Sequence, residues 1–337
     1  MHALVWHGPR SMALEVVPEP TVAPGEVLVE VEAVGICGSE ISGYLGENAL
    51  RRPPLIMGHE FIGRVVDAPG AGSLLPGQRV VVNPLLSCGD CRMCHLGLEN
   101  LCEHRALLGA QRPGAFAERV AVPERNCLPV PETLPPVLGV AVEPLACALR
   151  AVELGHVGLG DRVAVFGAGA IGLFAVALAA RAGASMVAVV DVNESRLRTA
   201  QAWGATHLLN ARTHPGEEIL LLTASLGADV VIDAVGRSVT RREAIRAVRP
   251  GGRVVLVGLH EAESPIQAND VVRREIHVTG SFAYRVHTFE QALSLIQLGI
   301  VPTGGGWYDE RTLAAGPVSF EELVAGAVSV SKVILRP

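Results

Sequence analysis

The stretch from Arg162 to Asp191 constrains the fold of this chain more than any other. It opens with a short apolar run, Val163 to Phe166, which predicts a buried strand. Glycines in G-x-G-x-x-G spacing follow, then a helical apolar segment and a second apolar run that ends in an acid: Gly167, Gly169, Gly172, Met186 to Val190 and Asp191. This order is the signature of a dinucleotide-binding β-α-β unit, in which the glycines allow the turn, the approach of a pyrophosphate and close helix packing.

The acid at the end of the second run indicates which dinucleotide is bound. A carboxylate at Asp191 can accept hydrogen bonds from ribose hydroxyls and repels a 2′-phosphate, which favours NAD over NADP. Arg196 and Arg198 lie nearby and weaken that preference. An ordinary strand–turn–helix is the alternative in a chain with 37 glycines, but strand, helix and acid all stand where the motif requires them. A Walker A loop is excluded because the single lysine, Lys332, lies far from these glycines.

Length and charge narrow the class of protein. The 337 residues suggest two domains. The net charge of −6 and the lack of a basic run argue against nucleic acid as a partner. The longest helical apolar stretch, Ile171 to Ala180, is too short to span a membrane, and no signal pattern is visible near Met1. We therefore expect a cytoplasmic protein with neither a nucleic-acid nor a membrane partner.

The two halves of the chain carry different patterns. Alternating apolar residues between Pro and Gly pairs predict short strands and a compact β-barrel in the first half, at Val27 to Val34, Phe61 to Val66 and Arg79 to Val82. A helix is predicted to start at Val142, with Glu143 in its first turn after a turn-rich connector. There, Glu143 serves either a functional role or the ordinary preference of acids for helix N-termini. Beyond Asp191, alternating apolar runs and helices predict about six parallel strands.

Four of the seven cysteines fall close together, at Cys88, Cys91, Cys94 and Cys102. Four thiolates at this spacing can close a tetrahedral shell around one zinc ion, which predicts a structural zinc site. A nucleic-acid-binding zinc ribbon is the alternative, but it uses two Cys pairs with a longer insert and a basic surface. His95 and His104 lie beside the cluster and are interpreted as non-ligands, because four sulfurs already fill the shell.

A second set of metal-ligand residue types lies in ICGSE and MGHEF, namely Cys37, His59 and Glu60. Three protein ligands with one open position are the pattern of a catalytic zinc site. Taken singly, Cys37 would be interpreted as a small buried hydrophobe, His59 as a core histidine and Glu60 as a surface charge. Their occurrence beside the other motifs predicts a second zinc ion for the chain.

Together these motifs resemble the zinc-dependent medium-chain dehydrogenases, particularly the polyol (sorbitol) and threonine dehydrogenase branch. The resemblance spans nearly the whole chain and rests on ICGSE, MGHEF, CGDCRMCHLGLENLC, VEPLACALRA, GAGAIG and GSFAY. It implies an α/β fold with a GroES-like β-barrel catalytic domain and a doubly wound Rossmann domain. The implied bounds are 1–147 with 285–337 for the catalytic domain, and 148–284 for the NAD-binding domain.

The resemblance also implies roles for individual residues. Cys37, His59 and Glu60 would hold the catalytic zinc, with Glu143 as a fourth ligand or bonded to the zinc water. The implied NAD contacts, beyond the three glycines, are Ala170, Ile171, Asp191, Arg196, Val257, Gly258, Leu259, Phe282, Ala283 and Tyr284. The implied reaction is the oxidation of a secondary alcohol on a hydroxylated substrate, or its reversal, with zinc as Lewis acid and NAD as hydride acceptor.

Two departures from the family pattern affect catalysis and specificity. Ser39, two residues after Cys37, is the candidate proton acceptor. Ser42 stands where many members carry a relay histidine, so protons would leave by water or past Glu143. Ala283 stands where sorbitol dehydrogenases carry an arginine that touches the polyol.

Candidate substrate residues are Tyr44, Tyr284, Arg51 and Arg52. The two arginines either grip an anionic group on the substrate or are solvated surface charge. The glycine-rich segment Val301 to Trp307 is a candidate for the far wall of the pocket. We expect a homodimer or homotetramer. The alternatives are a threonine or simple secondary alcohol dehydrogenase, or a non-catalytic zinc protein that binds NAD.

Overall fold

The computed structural model describes residues 1–70, 72–302, 304 and 306–337. The first part of the chain is rich in strands and ends in one long helix. Its strands are β1 (His2–Gly8), β2 (Ser11–Val16), β3 (Glu26–Gly35), β4 (Leu55–Ile56), β5 (Glu60–Asp67), β6 (Arg79–Val82), β7 (Leu85–Leu86), β8 (Ala106–Leu107), β9 (Arg119–Pro123) and β10 (Cys127–Pro129). Its helices are α1 (Gly38–Tyr44), α2 (Arg92–His95) and α3 (Pro136–Gly155). The predicted strands in this part are therefore confirmed.

The middle of the chain alternates strands and helices. In order, it forms β11 (Arg162–Phe166), α4 (Ala170–Arg181), β12 (Met186–Asp191), α5 (Glu194–Ala202), β13 (His207–Asn210), α6 (Pro215–Leu222), β14 (Ala228–Asp233), α7 (Ser238–Ala247), β15 (Val248–Leu256), α8 (Ala268–Arg273) and β16 (His277–Gly280). Within this fully described stretch, six parallel strands lie in the order β13-β12-β11-β14-β15-β16. The strand order reverses direction between β11 and β14, as in a doubly wound sheet, so the predicted Rossmann fold is confirmed.

The last part of the chain returns to the first. It contains α9 (Val286–Gln297), β17 (Tyr308–Thr312), α10 (Gly316–Val324) and β18 (Lys332–Arg336). β18 pairs antiparallel with β3, opposing Ile334 to Gly35. The resulting sheet has the order β10-β6-β5-β3-β18-β17, with β9 also paired to β3. The final strand therefore lies directly beside the strand that leads into Cys37.

Helix α3 begins earlier than its sequence pattern predicts. It starts at Pro136, where the fixed φ of proline suits a first helical position, rather than at Val142. Glu143 is therefore well inside the helix and 8% exposed, and the expectation that it occupies the first turn is wrong. α3 packs against β5 and against α4, so it joins both parts of the molecule. The predicted boundary at 147–148 lies within α3, and the domain bounds remain a prediction.

Two further expectations concern the surface and the far wall of the pocket. Among the described residues, no helix combines the length and apolarity needed to cross a bilayer. Trp307 is 1% exposed, and its ring centroid lies 5.5 Å from that of Phe174 and 5.8 Å from that of Trp203. This ring therefore belongs to the core, and Thr303 and Gly305 of the same segment lie outside the described residues.

Candidate active site

The Gly-rich turn between β11 and α4 has the geometry of a phosphate cradle. Gly167 has a φ of +95°, in the left-handed region that glycine adopts without strain. A Cβ on Gly172 would clash with the carbonyl oxygen of Gly167, so only glycine lets α4 approach this closely. A Cβ on Gly169 would meet nothing within 4 Å among the described atoms. The open side of Gly169, at the N-terminus of α4, therefore fits a pyrophosphate.

Asp191 lies at the end of β12 and is bonded to the same turn. Its Oδ2 accepts a hydrogen bond from Ala168 N at 2.6 Å, and its Oδ1 accepts one from Asn193 N at 2.8 Å. Arg196, a predicted NAD contact, instead donates to the carbonyl oxygens of Val330 and Val328 at 3.1 and 3.4 Å. The carboxylate is thus held rigidly beside the turn, while the guanidinium of Arg196 links α5 to the segment before β18.

The other predicted NAD contacts follow the carboxyl ends of β15 and β16. Parallel strands bring these ends to one edge of the sheet, which is also the edge that carries the Gly-rich turn. Val257–Leu259 directly follows β15, and Phe282–Tyr284 comes just after β16. Gly258 packs so closely on Val235 that a Cβ there would clash with the backbone. The structure thus brings both segments to the edge where doubly wound folds bind ligands.

The four clustered cysteines form a compact set. Four of the six Sγ···Sγ separations within Cys88, Cys91, Cys94 and Cys102 run from 3.5 to 3.9 Å, and all six are within 4.8 Å. Zinc–sulfur bonds of 2.3 Å in a tetrahedron give about 3.8 Å between sulfurs. Backbone N–H groups, that of Cys94 foremost, lower the pKa of the Cys91 thiol to about 6, which favours the thiolate that binds metal. All four are free thiols, and the set fits a closed zinc site.

The second predicted set also comes together. Cys37 directly precedes α1, His59 directly precedes β5, and Glu60 is the first residue of β5. Their ligand atoms all lie within 4.8 Å of one another. His59 is 4% exposed and Glu60 is 1% exposed. Cys37 is half-buried. Three donors of zinc-ligand type leave one coordination position open, so these residues fit a catalytic zinc ion.

Glu40, which the sequence motifs do not single out, holds the residues of this predicted zinc site in place. It is fully buried, and its Oε1 lies 2.7 Å from Nδ1 of His59. The same carboxylate accepts hydrogen bonds from Gly58 N at 2.8 Å and from Cys37 N at 2.9 Å. Burial alone would lower the pKa of His59, but Glu40 and Cys37 raise it well above its usual value. A carboxylate bonded to the far nitrogen orients a histidine ligand, and an acid three residues after Cys37 is the signal that reveals it.

Lys332 is the second residue that sequence reasoning missed. The only lysine of the chain is 5% exposed. Its Nζ lies 2.8 and 2.5 Å from the two carboxylate oxygens of Glu60, and it donates to Ile36 O at 3.2 Å. Burial alone would lower its pKa, but Glu60 and Cys37 raise it. Gly35 makes room for the pair, because a Cβ there would clash with Oε2 of Glu60.

Glu143 lies near these groups on α3. Burial raises its pKa to about 7. The hydroxyl of Tyr284 donates to its Oε1 at 3.1 Å, and the Cys147 thiol lies 3.8 Å from the same oxygen. In the described part of the chain, Glu143 is outside the group of donor atoms that lie within 4.8 Å of one another. The hydroxyl of Tyr284, a candidate grip for a substrate, is instead committed to Glu143.

The predicted residues on and after α1 separate into two groups. Arg51 is 4% exposed and donates to Gly109 O at 3.1 Å and to Ser39 Oγ at 3.3 Å, so it is not a surface charge as one alternative held. Arg52 is exposed, and Ser42 is half-buried on α1. Tyr44 is 3% exposed and donates to Glu321 at 2.6 Å, so its hydroxyl is not free to grip a substrate. Of these residues, Ser39 and Arg51 form the pair that lies next to the ligand Cys37.

Comparisons with known proteins agree with a zinc site in the first part of the chain and a dinucleotide site in the Rossmann part. The alcohol dehydrogenase GroES-like domain matches residues 23–132, and the zinc-binding dehydrogenase family matches residues 170–297. Sorbitol dehydrogenase of Bacillus subtilis strain 168 is 31% identical over 346 residues, covering 100% of this chain and 97% of that protein.

Two solved structures are similar over the whole chain. A dehydrogenase of Sinorhizobium meliloti 1021 described as zinc-binding, in complex with NADP, has a TM-score of 0.92 and 33% identity, and the match covers 100% of this chain and 99% of that one. An alcohol dehydrogenase of Escherichia coli CFT073, in complex with NADH, has a TM-score of 0.91 and 27% identity, with the same coverage.

The chain belongs to the zinc-dependent medium-chain dehydrogenase family, in the branch that includes sorbitol and threonine dehydrogenases. Its fold is the expected combination of a GroES-like β-rich part and a Rossmann part. It is a zinc-dependent oxidoreductase that transfers hydride between NAD and a small alcohol or ketone, as the sequence predicts.

Proposed function

We propose that the chain interconverts a secondary alcohol and its ketone on a neutral, hydroxylated substrate such as a polyol, with NAD as hydride acceptor. The observation that carries this proposal is the set of half-buried Cys37 with buried His59 and Glu60. The hydroxyl of Ser39 follows Cys37 by two residues. Retention of a complete ligand set together with that hydroxyl disfavours the alternative of a non-catalytic NAD-binding protein.

We assign the proton acceptor role to Ser39. A bound zinc ion would be held by Cys37, His59 and Glu60, with Glu143 as the candidate fourth ligand, and would polarise the substrate oxygen. Arg51 donates to Ser39 Oγ, which fixes the hydroxyl and leaves its hydrogen free to point elsewhere. A guanidinium is always protonated and cannot accept a proton, so the proton leaves Ser39 through water or past Glu143.

The charges around the site favour a neutral substrate. The two cations beside the ligands, Arg51 and Lys332, are buried and already bonded to protein oxygens. Binding a carboxylate or phosphate there would break these bonds and leave protein acceptors unpaired. An anionic group on the substrate, which the arginine pair suggests in the sequence, therefore loses support, and threonine becomes the weaker alternative.

A panel of substrates assayed with NAD tests the proposal through the absorbance of the reduced nicotinamide. We expect kcat/KM to be highest for a neutral polyol or diol, lower for a simple secondary alcohol, and lowest for threonine and a sugar-alcohol phosphate. Arg52→Ala, at an exposed position, should leave the ratio between alcohol and phosphate ester unchanged. A strong preference for threonine or for the ester would refute the substrate class, whereas inactivity towards every alcohol would refute the role as a catalyst.

Cofactor preference is a further part of the proposal. We assign Asp191, with the turn glycines and the segments Val257–Leu259 and Phe282–Tyr284, to NAD. The carboxylate beside the turn and the engagement of Arg196 with backbone carbonyls both disfavour a 2′-phosphate. Because the similar Sinorhizobium meliloti protein was solved in complex with NADP, kcat/KM should be measured with both NAD and NADP.

We also infer a homo-oligomer. Strand β16 is an edge strand paired on one side by β15, and its residues are mostly exposed, Val278 by 37%. An open edge of this kind is a template for pairing with a second copy. Light scattering should give a dimer or tetramer. Val278→Lys should lower the number of subunits, whereas Leu221→Lys, at a position on α6 that is 79% exposed, should not. A monomeric wild type would contradict this inference.

The cellular location and the domain bounds belong to the same proposal. Free thiols that form a metal set agree with a reducing, cytoplasmic environment. The pairing of β18 with β3 supports a catalytic domain of 1–147 with 285–337, and the sheet between residues 162 and 280 supports an NAD-binding domain of 148–284. Limited proteolysis that releases 148–284 as a stable fragment would support these bounds.

A further inference from the structure

The cysteine lobe, defined as residues 88–105, contacts the loop that follows β16 in the Rossmann part. Asn100 lies between two zinc-ligand cysteines along the chain and is 5% exposed. Its Nδ2 donates to the carbonyl oxygen of Phe282 at 2.8 Å. The guanidinium carbon of Arg105 lies 4.9 Å from the centre of the Phe282 ring, and Arg105 also donates to Cys102 O at 3.3 Å. The lobe therefore holds both the backbone and the ring of Phe282.

The contacted loop, Ser281–Tyr284, is held at both ends in a strained conformation. Ala283 has a φ of +47°, in the left-handed region that is strained for a residue with a Cβ. On one side of Ala283, Phe282 is held by the lobe. On the other side, Tyr284 is 1% exposed and bonded to Glu143. Strain of this kind persists only where the surrounding structure imposes it, and it concentrates at ligand sites.

The position of this loop in the sheet indicates which part of the cofactor it meets. The turn after β11 receives the pyrophosphate, and Asp191, the last residue of β12, lies on the adenosine side. The loop after β16 lies on the opposite side of β11, which in a doubly wound fold is the nicotinamide half. The Oγ of Ser281 is buried with no partner among the described atoms, as expected of a group that awaits a polar ligand.

We propose that the cysteine lobe is a clamp on the nicotinamide half of the cofactor site, with Asn100 and Arg105 as positioning residues that hold the loop Ser281–Tyr284. The proposal rests on the proposed use of this loop in NAD binding. The zinc set of the lobe then does more than stabilise the fold, because it fixes the two side chains that shape the nicotinamide pocket.

Binding measurements on the zinc-loaded enzyme test the clamp. NADH and ADP-ribose share the adenosine and the pyrophosphate, but ADP-ribose lacks the nicotinamide. We expect Asn100→Leu and Arg105→Met each to raise the Kd of NADH by several-fold, and about tenfold together, because one hydrogen bond and one cation–π contact are lost. The Kd of ADP-ribose should stay within about twofold of the wild-type value. Arg105→Lys keeps a cation over the ring and should lose less than Arg105→Met.

The control is Arg92→Met, an exposed change on α2 of the same lobe, which should leave both dissociation constants unchanged. Zinc content should remain two per chain in every variant. An unchanged Kd for NADH, or an equal loss for NADH and ADP-ribose, would overturn the clamp and leave the lobe with a purely structural role. Absence of NADH binding by the wild type would overturn the proposed function itself, and the clamp with it.

Discussion

The buried ion pair of Lys332 and Glu60 lies beside the predicted catalytic zinc site of Cys37, His59 and Glu60. Its removal tests how much the charge of Lys332 stabilises the carboxylate of Glu60. Lys332 is 5% exposed and Glu60 is 1% exposed, and Nζ contacts both carboxylate oxygens. Removing one partner of such a pair leaves a buried, uncompensated charge, which costs about 3–5 kcal/mol. We therefore expect Lys332→Met to lower the free energy of unfolding by that amount when the catalytic zinc ion has been removed by chelation.

A bound zinc ion would return a positive charge to Glu60, so the loss should be smaller in the zinc-loaded enzyme. Glu60→Gln in the Lys332→Met background should recover most of the stability, because the carboxylate that Lys332 had balanced is then removed as well. The control on the same strand is Arg336→Met, since Arg336 and Glu310 are both about one-third exposed and their pair should contribute at most about 1 kcal/mol. Urea unfolding with and without zinc measures these differences. Equal losses for Lys332→Met and Arg336→Met, or a loss that zinc does not change, would refute the reasoning.

The remaining predictions concern metal, cofactor, pH and proton transfer. Metal analysis should find two zinc ions per chain, and Cys91→Ser should lower the thermal stability through the closed set. Asp191→Ala should narrow the NAD preference, mainly through KM for NAD; equal kcat/KM for NAD and NADP in the wild type would contradict its role. Burial opposes ionisation of Asp229, but hydrogen bonds from two arginines hold its pKa well below the usual value. Its carboxylate therefore stabilises the fold above pH of about 4, and the cost of Asp229→Asn, about 1.5–3 kcal/mol at neutral pH, should shrink as the pH falls further. Ser39→Ala should reduce kcat far more than Ser42→Ala, and similar losses would remove Ser39 from proton transfer.

The Rossmann part was predictable because its signals are local. The runs at β11, β12 and β14 are apolar and end at Gly167, Asp191 and Asp233. The turn glycines act on neighbours within a few residues, as Gly172 does on Gly167. The start of α3 was not predictable, because a proline such as Pro136 suits the end of a connector and the first position of a helix equally well. That ambiguity hid the fact that Glu143 is deep in the helix and buried.

The two sets of zinc ligands were predictable from spacing and residue type. The residues that hold those ligands in place were only partly predictable. Glu40 follows Cys37 by three residues, so a local rule finds it. Lys332 reaches Glu60 across 272 positions, and Tyr284 reaches Glu143 across 141. No periodicity or spacing connects residues so far apart, and only the pairing of β18 with β3 brings Lys332 to the metal set.

Arg51 and Arg52 show why charge alone does not decide substrate recognition. Adjacent in the chain, they have the same charge and the same hydrogen-bonding capacity, yet Arg51 is 4% exposed and Arg52 is exposed. Gly43 accommodates Arg51, because its missing Cβ leaves room for the arginine stem. The buried guanidinium is directed to Gly109 and Ser39 instead of solvent. Arg51 therefore orients the hydroxyl of Ser39 and does not bind the substrate. Because its guanidinium is already hydrogen-bonded to protein oxygens, it is not available to an anionic substrate group.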